Sequence, residues 1–167
     1  MNPEYADEAL FLFQDIADSL ELDWFLFAGT CLGIFRDGKY LPGDNDLDLG
    51  VKASPDRLEG LWAALYRAGF SLGPWCTNKD GSRNRHVYFK HGEPWPTKDG
   101  ILVDVWYDFT EGELNLTMNY GQVRYKGRDF LVPYPVQSYL QDAYGEWWDT
   151  ESRVSAAGKE GVSRVAQ

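Results

Sequence analysis

The sequence predicts an α+β fold in a single domain, with a mixed β-sheet flanked by helices. Its 167 residues match the usual size of one globular domain, so we expect one core. Helical and strand patterns alternate up to Gly69, and the rest of the chain resembles a series of short strands. Aromatic residues make up 16% of the chain, which argues against a disordered protein.

The chain begins with a predicted helix, strand and second helix. Apolar residues at helical spacing predict the first helix over residues 5 to 20. Trp24 to Ala28 is an apolar run of strand length. Gly29 and Thr30 follow it, and we expect a glycine turn there, with Thr30 capping the next helix.

A loop, a strand and a third helix follow. Turn residues predict a loop over 37 to 45, and Asp46 to Val51 alternates in polarity as a strand does. Ser54 is expected to cap a helix that has Pro55 at its first position and ends at Gly69. Its predicted buried face consists of Leu58, Leu61, Trp62, Leu65 and Tyr66.

The second half of the chain is predicted to be mainly strands. The predicted strands are Phe70 to Leu72, His86 to Lys90, Ile101 to Phe109, and a hairpin near Val123 to Val132. We expect the hairpin to turn at Lys126 and Gly127, and a short helix to follow at Gln137 to Tyr144. Residues 1 to 149 then form the domain, and residues 150 to 167 a loose tail.

Charge and cysteine content exclude several classes of protein. The net charge of -10 disfavours binding to nucleic acid or to anionic membranes. Cys31 and Cys76 are too few for a disulfide framework and lack zinc-site spacing, which fits the cytoplasm. The N-terminus lacks the basic character of a signal peptide, and no apolar run is long enough for an integral membrane segment.

Carboxylates are concentrated in the first third of the chain. Residues 1 to 60 hold 13 of the 26 acidic side chains but only 4 of the 16 basic ones. Asp44, Asp46 and Asp48 are spaced by two, and alternate residues of a strand share one face. Carboxylates on one face repel one another unless a cation lies between them, and hard oxygen ligands suit Mg²⁺ or Mn²⁺. A solvated acidic turn is the alternative.

Other residues complete a predicted site for a phosphorylated substrate. Asp104 lies between two valines, where burial requires a partner, so it is a candidate third metal ligand or else a carboxylate paired with arginine. Gly29 and Thr30, where a strand passes into a helix, offer backbone N–H groups to a phosphate. A local basic patch (Lys79, Arg83, Arg85 and His86) could bind a donor or acceptor, or form a solvated loop.

These motifs together resemble the signature of the LicD family, which includes phosphocholine transferases and fukutin-related ribitol-phosphate transferases. The matching residues are Gly29-Thr30-Cys31-Leu32-Gly33, Arg36, Gly38, Pro42 and Asp44-Asn45-Asp46-Leu47-Asp48. Val103-Asp104-Val105-Trp106 is similar to a later strand of that family. Val132-Pro133, Tyr139-Leu140 and Tyr144-Gly145-Glu146-Trp147 are similar to its closing elements.

The resemblance implies a nucleotidyltransferase-like fold and a metal-dependent transfer. A phosphorylated alcohol, of the phosphocholine or polyol-phosphate type, would move from a CDP-activated donor to a glycan or glycolipid hydroxyl. Asp46, Asp48 and Asp104 would be the catalytic and metal-binding acids, with Mg²⁺ or Mn²⁺ as cofactor. Arg36 would meet donor phosphate, and the notable departures from the family pattern are Gly43 and Asn45.

Two other functions use the same residues. A nucleotidyltransferase acting with an NTP on a small molecule or macromolecule would also need two aspartates on one strand and a third aspartate nearby. A non-catalytic binding module that kept the fold would explain Gly43 and Asn45, whereas the three aspartates count against it. Release of CMP from CDP-choline, or of pyrophosphate from ATP, distinguishes these alternatives.

Overall fold

The computed structural model describes residues 1–77, 83–89, 100–107 and 119–149. In chain order the elements are α1 (Pro3–Ser19), β1 (Asp23–Leu26), α2 (Ala28–Asp37), β2 (Asp46–Lys52), α3 (Pro55–Arg67), β3 (Phe70–Thr77), β4 (Arg83–Phe89), β5 (Ile101–Tyr107), β6 (Asn119–Tyr125), β7 (Arg128–Tyr134) and α4 (Val136–Tyr144). The predicted tail at 150–167 and Lys79 of the predicted basic patch lie outside the described residues.

A five-stranded mixed sheet forms the centre of the domain, in the order β1-β2-β5-β4-β3. Strands β2 and β5 are parallel, and the other neighbours in this sheet are antiparallel. Strands β6 and β7 form a separate hairpin that contacts β1. Helices and strands thus combine in one domain, and the predicted α+β class and mixed sheet are confirmed.

The two faces of the sheet have different roles. Paired residues on neighbouring strands point to the same side, and successive residues point to opposite sides. Leu49 and Val105 pair with each other, are fully buried, and belong to the main core. Helix α3 covers that face through Trp62, whose ring meets that of Tyr107. The opposite face therefore carries the intervening residues, including Asp48.

A buried polar cluster fixes α1 to the rest of the domain. The hydroxyls of Tyr40 and Tyr125 each donate to Asp7 Oδ1 at 2.9 Å, and the Lys126 ammonium pairs with the same carboxylate. Because Tyr40 lies in the loop between α2 and β2, these bonds hold the loop that leads to Asp44. The cluster therefore connects the amino-terminal helix, this loop and the β6–β7 hairpin.

Several predicted boundaries are wrong in detail. Strand β3 continues through Gly73 and Pro74 to Thr77, because a register shift between Leu72 and Trp75 accommodates them at the edge of the sheet. Tyr66, predicted to be buried, is 68% exposed. The hairpin turn is as predicted, with positive φ at both Lys126 and Gly127, as a two-residue turn of this kind requires.

Helix α2 begins earlier than the sequence suggests. It starts at Ala28 after Phe27, so Gly29 lies inside its first turn rather than in a preceding loop. Thr30 is likewise within the helix and does not cap it. Its hydroxyl accepts the backbone N–H of Asp48 at 2.9 Å, because β1 has ended and no longer offers β2 a carbonyl there. Every helix in the described part of the chain is too short or too polar to span a lipid bilayer.

Candidate metal and phosphate site

Three aspartates converge on the face of the sheet opposite α3. Asp46 and Asp48 lie on β2, and Asp104 lies directly beside Asp48 on β5. One carboxylate oxygen from each lies within 4.8 Å of one from each of the others. The side chains predicted from spacing to share a face therefore meet, and the parallel pairing of β2 with β5 brings in the third.

The cluster is electrostatically unfavourable when only protein atoms surround it. Burial, reinforced by the charge of Asp46, raises the pKa of Asp48 well above its ordinary value. Burial likewise raises the pKa of Asp104 to about 6; the nearby His86 opposes this rise and Asp46 adds to it. Carboxylates in such surroundings bind protons unless a cation replaces them.

A fourth carboxylate belongs to the same site. Asp44 lies in the loop before β2, and its Oδ2 would be 2.9 Å from a Cβ atom added at Gly29. Burial and the charge of Asp46 raise the pKa of Asp44 to about 7. The sequence places Asp44 in the acidic triplet with Asp46 and Asp48, and the structure has it in the loop just before the strand.

Hydrogen bonds hold the Asp48 carboxylate in place from two sides. The backbone N–H of Gly29 donates to Oδ2 at 3.1 Å, and the Trp106 indole N–H donates to Oδ1 at 3.1 Å. The backbone N–H of Ala28 donates to the Tyr139 hydroxyl at 2.9 Å. Of the two amides predicted to face a phosphate, those of Gly29 and Thr30, the Gly29 amide is thus used by a protein group. Trp106 and Tyr139 belong to the predicted resemblance, but no local pattern indicated that they would contact this site.

Asp104 has one oxygen in an unusual environment. Its Oδ1 is buried and has no hydrogen-bond partner among the described residues, although His86 Nε2 lies 3.5 Å away. Cys76 Sγ is 3.6 Å from the same His86 nitrogen. A buried carboxylate oxygen without a donor is a natural ligand for a hard cation, so the three aspartates fit Mg²⁺ or Mn²⁺.

The two predicted phosphate-binding arginines lie elsewhere. Arg36 is seven residues beyond Gly29 on α2, about 10 Å along the helix axis. Its guanidinium makes two hydrogen bonds to Asp37 and one to the Trp147 carbonyl, and only 10% of its side chain is exposed. A phosphate contact by Arg36 stays a prediction.

Arg85 lies on the other face of the sheet. It pairs with Val105, whereas the neighbouring His86 pairs with Asp104, so the two side chains point in opposite directions. The Arg85 guanidinium stacks on the Trp75 ring at 4.1 Å. The predicted basic patch is therefore divided between two faces, and only His86 of the described members lies beside the carboxylates.

The fold and the site define a class: a single α+β domain with a partly buried acidic cluster that could hold a divalent cation. Comparison with models of known protein families gives no match for this chain, and a search of curated protein sequences gives no significant match.

Proposed function

We propose that this protein is a metal-dependent transferase that moves a phosphorylated alcohol from a CDP-activated donor to a glycan or glycolipid hydroxyl. The observation that supports it best is the convergence of Asp46, Asp48 and Asp104 on two adjoining strands. The alcohol, of the phosphocholine or polyol-phosphate type, and the acceptor class come from the resemblance to the LicD family. The nucleotidyltransferase-like fold is proposed on the same resemblance.

Asp46, Asp48 and Asp104 are the residues that would hold Mg²⁺ or Mn²⁺. The cation supplies positive charge that stabilises the phosphoryl oxygens during transfer. The fit depends on hard oxygen donors and on Asp104 Oδ1, which has no hydrogen-bond partner within the described ranges. Gly29 and Trp106 contribute by orienting Asp48 through their two hydrogen bonds.

The protein's own groups also suit proton transfer. Asp104 would accept the proton of the attacking hydroxyl, since its Oδ1 has no hydrogen-bond donor among the described residues. His86 Nε2, 3.5 Å from Asp104 Oδ1, favours the ionised carboxylate. Asp104 would thus act as general base, with His86 supporting it.

We further propose a cytoplasmic location and a nucleotide rather than a nucleic acid as partner. Cys31 and Cys76 are both free thiols, as expected in a reducing compartment. The charge of -10 opposes binding to a polyanion, whereas a cation held by the aspartates allows a single nucleotide to approach.

A release assay tests the transferase proposal. The full chain is incubated with Mg²⁺ and CDP-choline or CDP-ribitol, with water or an added saccharide as acceptor, and CMP is measured. We expect metal-dependent CMP release that is lost in Asp46→Asn and kept in Asp129→Asn, an exposed aspartate of the hairpin. Pyrophosphate release from ATP would instead support the nucleotidyltransferase. No turnover, together with no Mn²⁺ binding by calorimetry, would support the non-catalytic module.

A further inference from the structure

A second candidate site lies on the sheet face opposite the carboxylates. A cleft of about 340 Å³ opens between the start of α3 and the ends of β3, β4 and β5. This volume falls in the range of about 300–1,000 Å³ that is typical of small-molecule pockets. Three aromatic rings line it, those of Trp62, Trp75 and Tyr107, and Glu59 and Arg83 add one charge of each sign.

The three rings support one another in fixed orientations. The Trp62 and Trp75 rings are perpendicular with centroids 5.5 Å apart, and Trp75 meets Tyr107 edge-on at 5.6 Å. The Arg85 guanidinium stacks on both tryptophans, 4.1 Å from the centroid of Trp75 and 5.2 Å from that of Trp62. Trp75 nevertheless remains 49% exposed, so a rigid aromatic surface is presented to the cleft.

Trp62 forms the buried side of the cleft. Only 2% of this residue is exposed, and its indole Nε1 is itself buried, with no hydrogen-bond acceptor among the described residues. A molecule in the cleft therefore does not reach this nitrogen, and Trp62 contributes the apolar surface of its ring.

We propose that this cleft binds a neutral saccharide ring. The apolar C–H face of a sugar packs on aromatic rings, and its hydroxyls donate to Glu59. A quaternary cation would be repelled by the guanidinium groups of Arg83 and Arg85. An anion would meet the Glu59 carboxylate, so a neutral polyhydroxylated ligand fits the cleft best.

The saccharide site is separate from the carboxylate cluster. Tyr107 and Arg83 pair with each other on the face that α3 covers, whereas Asp104 points to the other face. Binding in the cleft consequently does not require a metal ion or transferase activity. A protein without transferase activity can therefore still bind a saccharide here, and a transferase need not bind one in this cleft.

Saturation-transfer NMR on the full chain tests this inference. The probes are methyl glycosides of glucose, galactose, mannose and N-acetylglucosamine at millimolar concentration, with tetramethylammonium as a cationic comparison. We expect transfer to the ring protons of at least one glycoside. Trp75→Ala should weaken binding about tenfold, because it removes the most exposed ring of the cleft.

Matched variants distinguish the cleft from other surfaces. Tyr66→Ala removes an exposed aromatic ring elsewhere on α3 and should leave glycoside binding unchanged. Asp46→Asn, which disrupts the carboxylate cluster, should also leave it unchanged. Absence of transfer to every glycoside, full binding by a folded Trp75→Ala variant, or binding of tetramethylammonium alone would overturn the proposal.

Discussion

Replacing Asp46 with asparagine should stabilise the metal-free protein at neutral pH while weakening its metal binding. The charge of Asp46 raises the pKa values of Asp44, Asp48 and Asp104, and in the first two it is the largest cause after burial. Asparagine has nearly the same shape but no charge, so it removes this repulsion. A variant that gains stability as it loses metal affinity cannot be explained by misfolding.

The direction of the pH dependence follows from the raised pKa values. Asp104 titrates at about 6 in the folded protein and near 3.8 when unfolded, so between these values the folded state holds more protons. The free energy of unfolding therefore falls as pH rises through this window, and Asp44 extends the window to about pH 7.

The expected magnitude is a few kcal/mol. About two pKa units for Asp104 correspond to about 3 kcal/mol lost by pH 7, at about 1.4 kcal/mol per unit. Because burial is the larger cause, removing the charge of Asp46 should recover the smaller part, about 1 to 2 kcal/mol. The substitution should flatten the pH dependence without abolishing it.

Urea unfolding in EDTA, followed by tryptophan fluorescence at about pH 5 and about pH 8, measures this effect. Wild type should be less stable at the higher pH, and Asp46→Asn should exceed it there. Asp129→Asn, at an exposed ion pair, should change stability by no more than about 1 kcal/mol at either pH. An Asp46→Asn variant that is less stable than wild type at about pH 8 would refute the electrostatic reasoning.

Three further substitutions test the support around the site. Gly29→Ala would put a methyl group 2.9 Å from Asp44 Oδ2, so calorimetry should show about tenfold weaker Mn²⁺ binding with an unchanged circular dichroism spectrum. Trp106→Phe removes the indole donor to Asp48 and should also weaken Mn²⁺ binding about tenfold. Thr30→Val deprives the backbone N–H of Asp48 of its acceptor, so urea unfolding should show a loss of about 1–3 kcal/mol. Unchanged metal binding in the first two, or unchanged stability in the third, would contradict these roles.

Local patterns in the sequence predicted much of the fold. The alternation of Asp46 and Asp48 with Leu47 and Leu49 correctly identified β2 and its two faces. The turn at Lys126-Gly127 was likewise visible, because a two-residue hairpin turn depends on the residues that form it. Features that depend on neighbours in sequence are thus accessible from sequence.

The sequence indicated Asp104 as a candidate third ligand, but strand pairing, which local patterns do not show, decides whether it reaches the site. Strand β5 pairs in parallel with β2, in a register that puts Asp104 beside Asp48. A shift of one residue would have turned Asp104 to the opposite face. The same register separates Arg85 from His86, two neighbours that composition grouped into one basic patch. Thr30 was misassigned because its acceptor role depends on where β1 ends.

The acidic cluster on this face of the sheet lowers the stability of the fold, which indicates that the cluster serves a function. Burial of Asp44, Asp48 and Asp104 around the charge of Asp46 destabilises the metal-free fold. Yet the neighbouring N–H groups orient Asp48, and no described residue donates a hydrogen bond to Asp104 Oδ1. A purely structural cluster would be expected to satisfy its buried oxygens with donors from the protein. Functional sites often hold charged groups in arrangements that destabilise the fold. Here a bound divalent cation would remove the repulsion among the carboxylates.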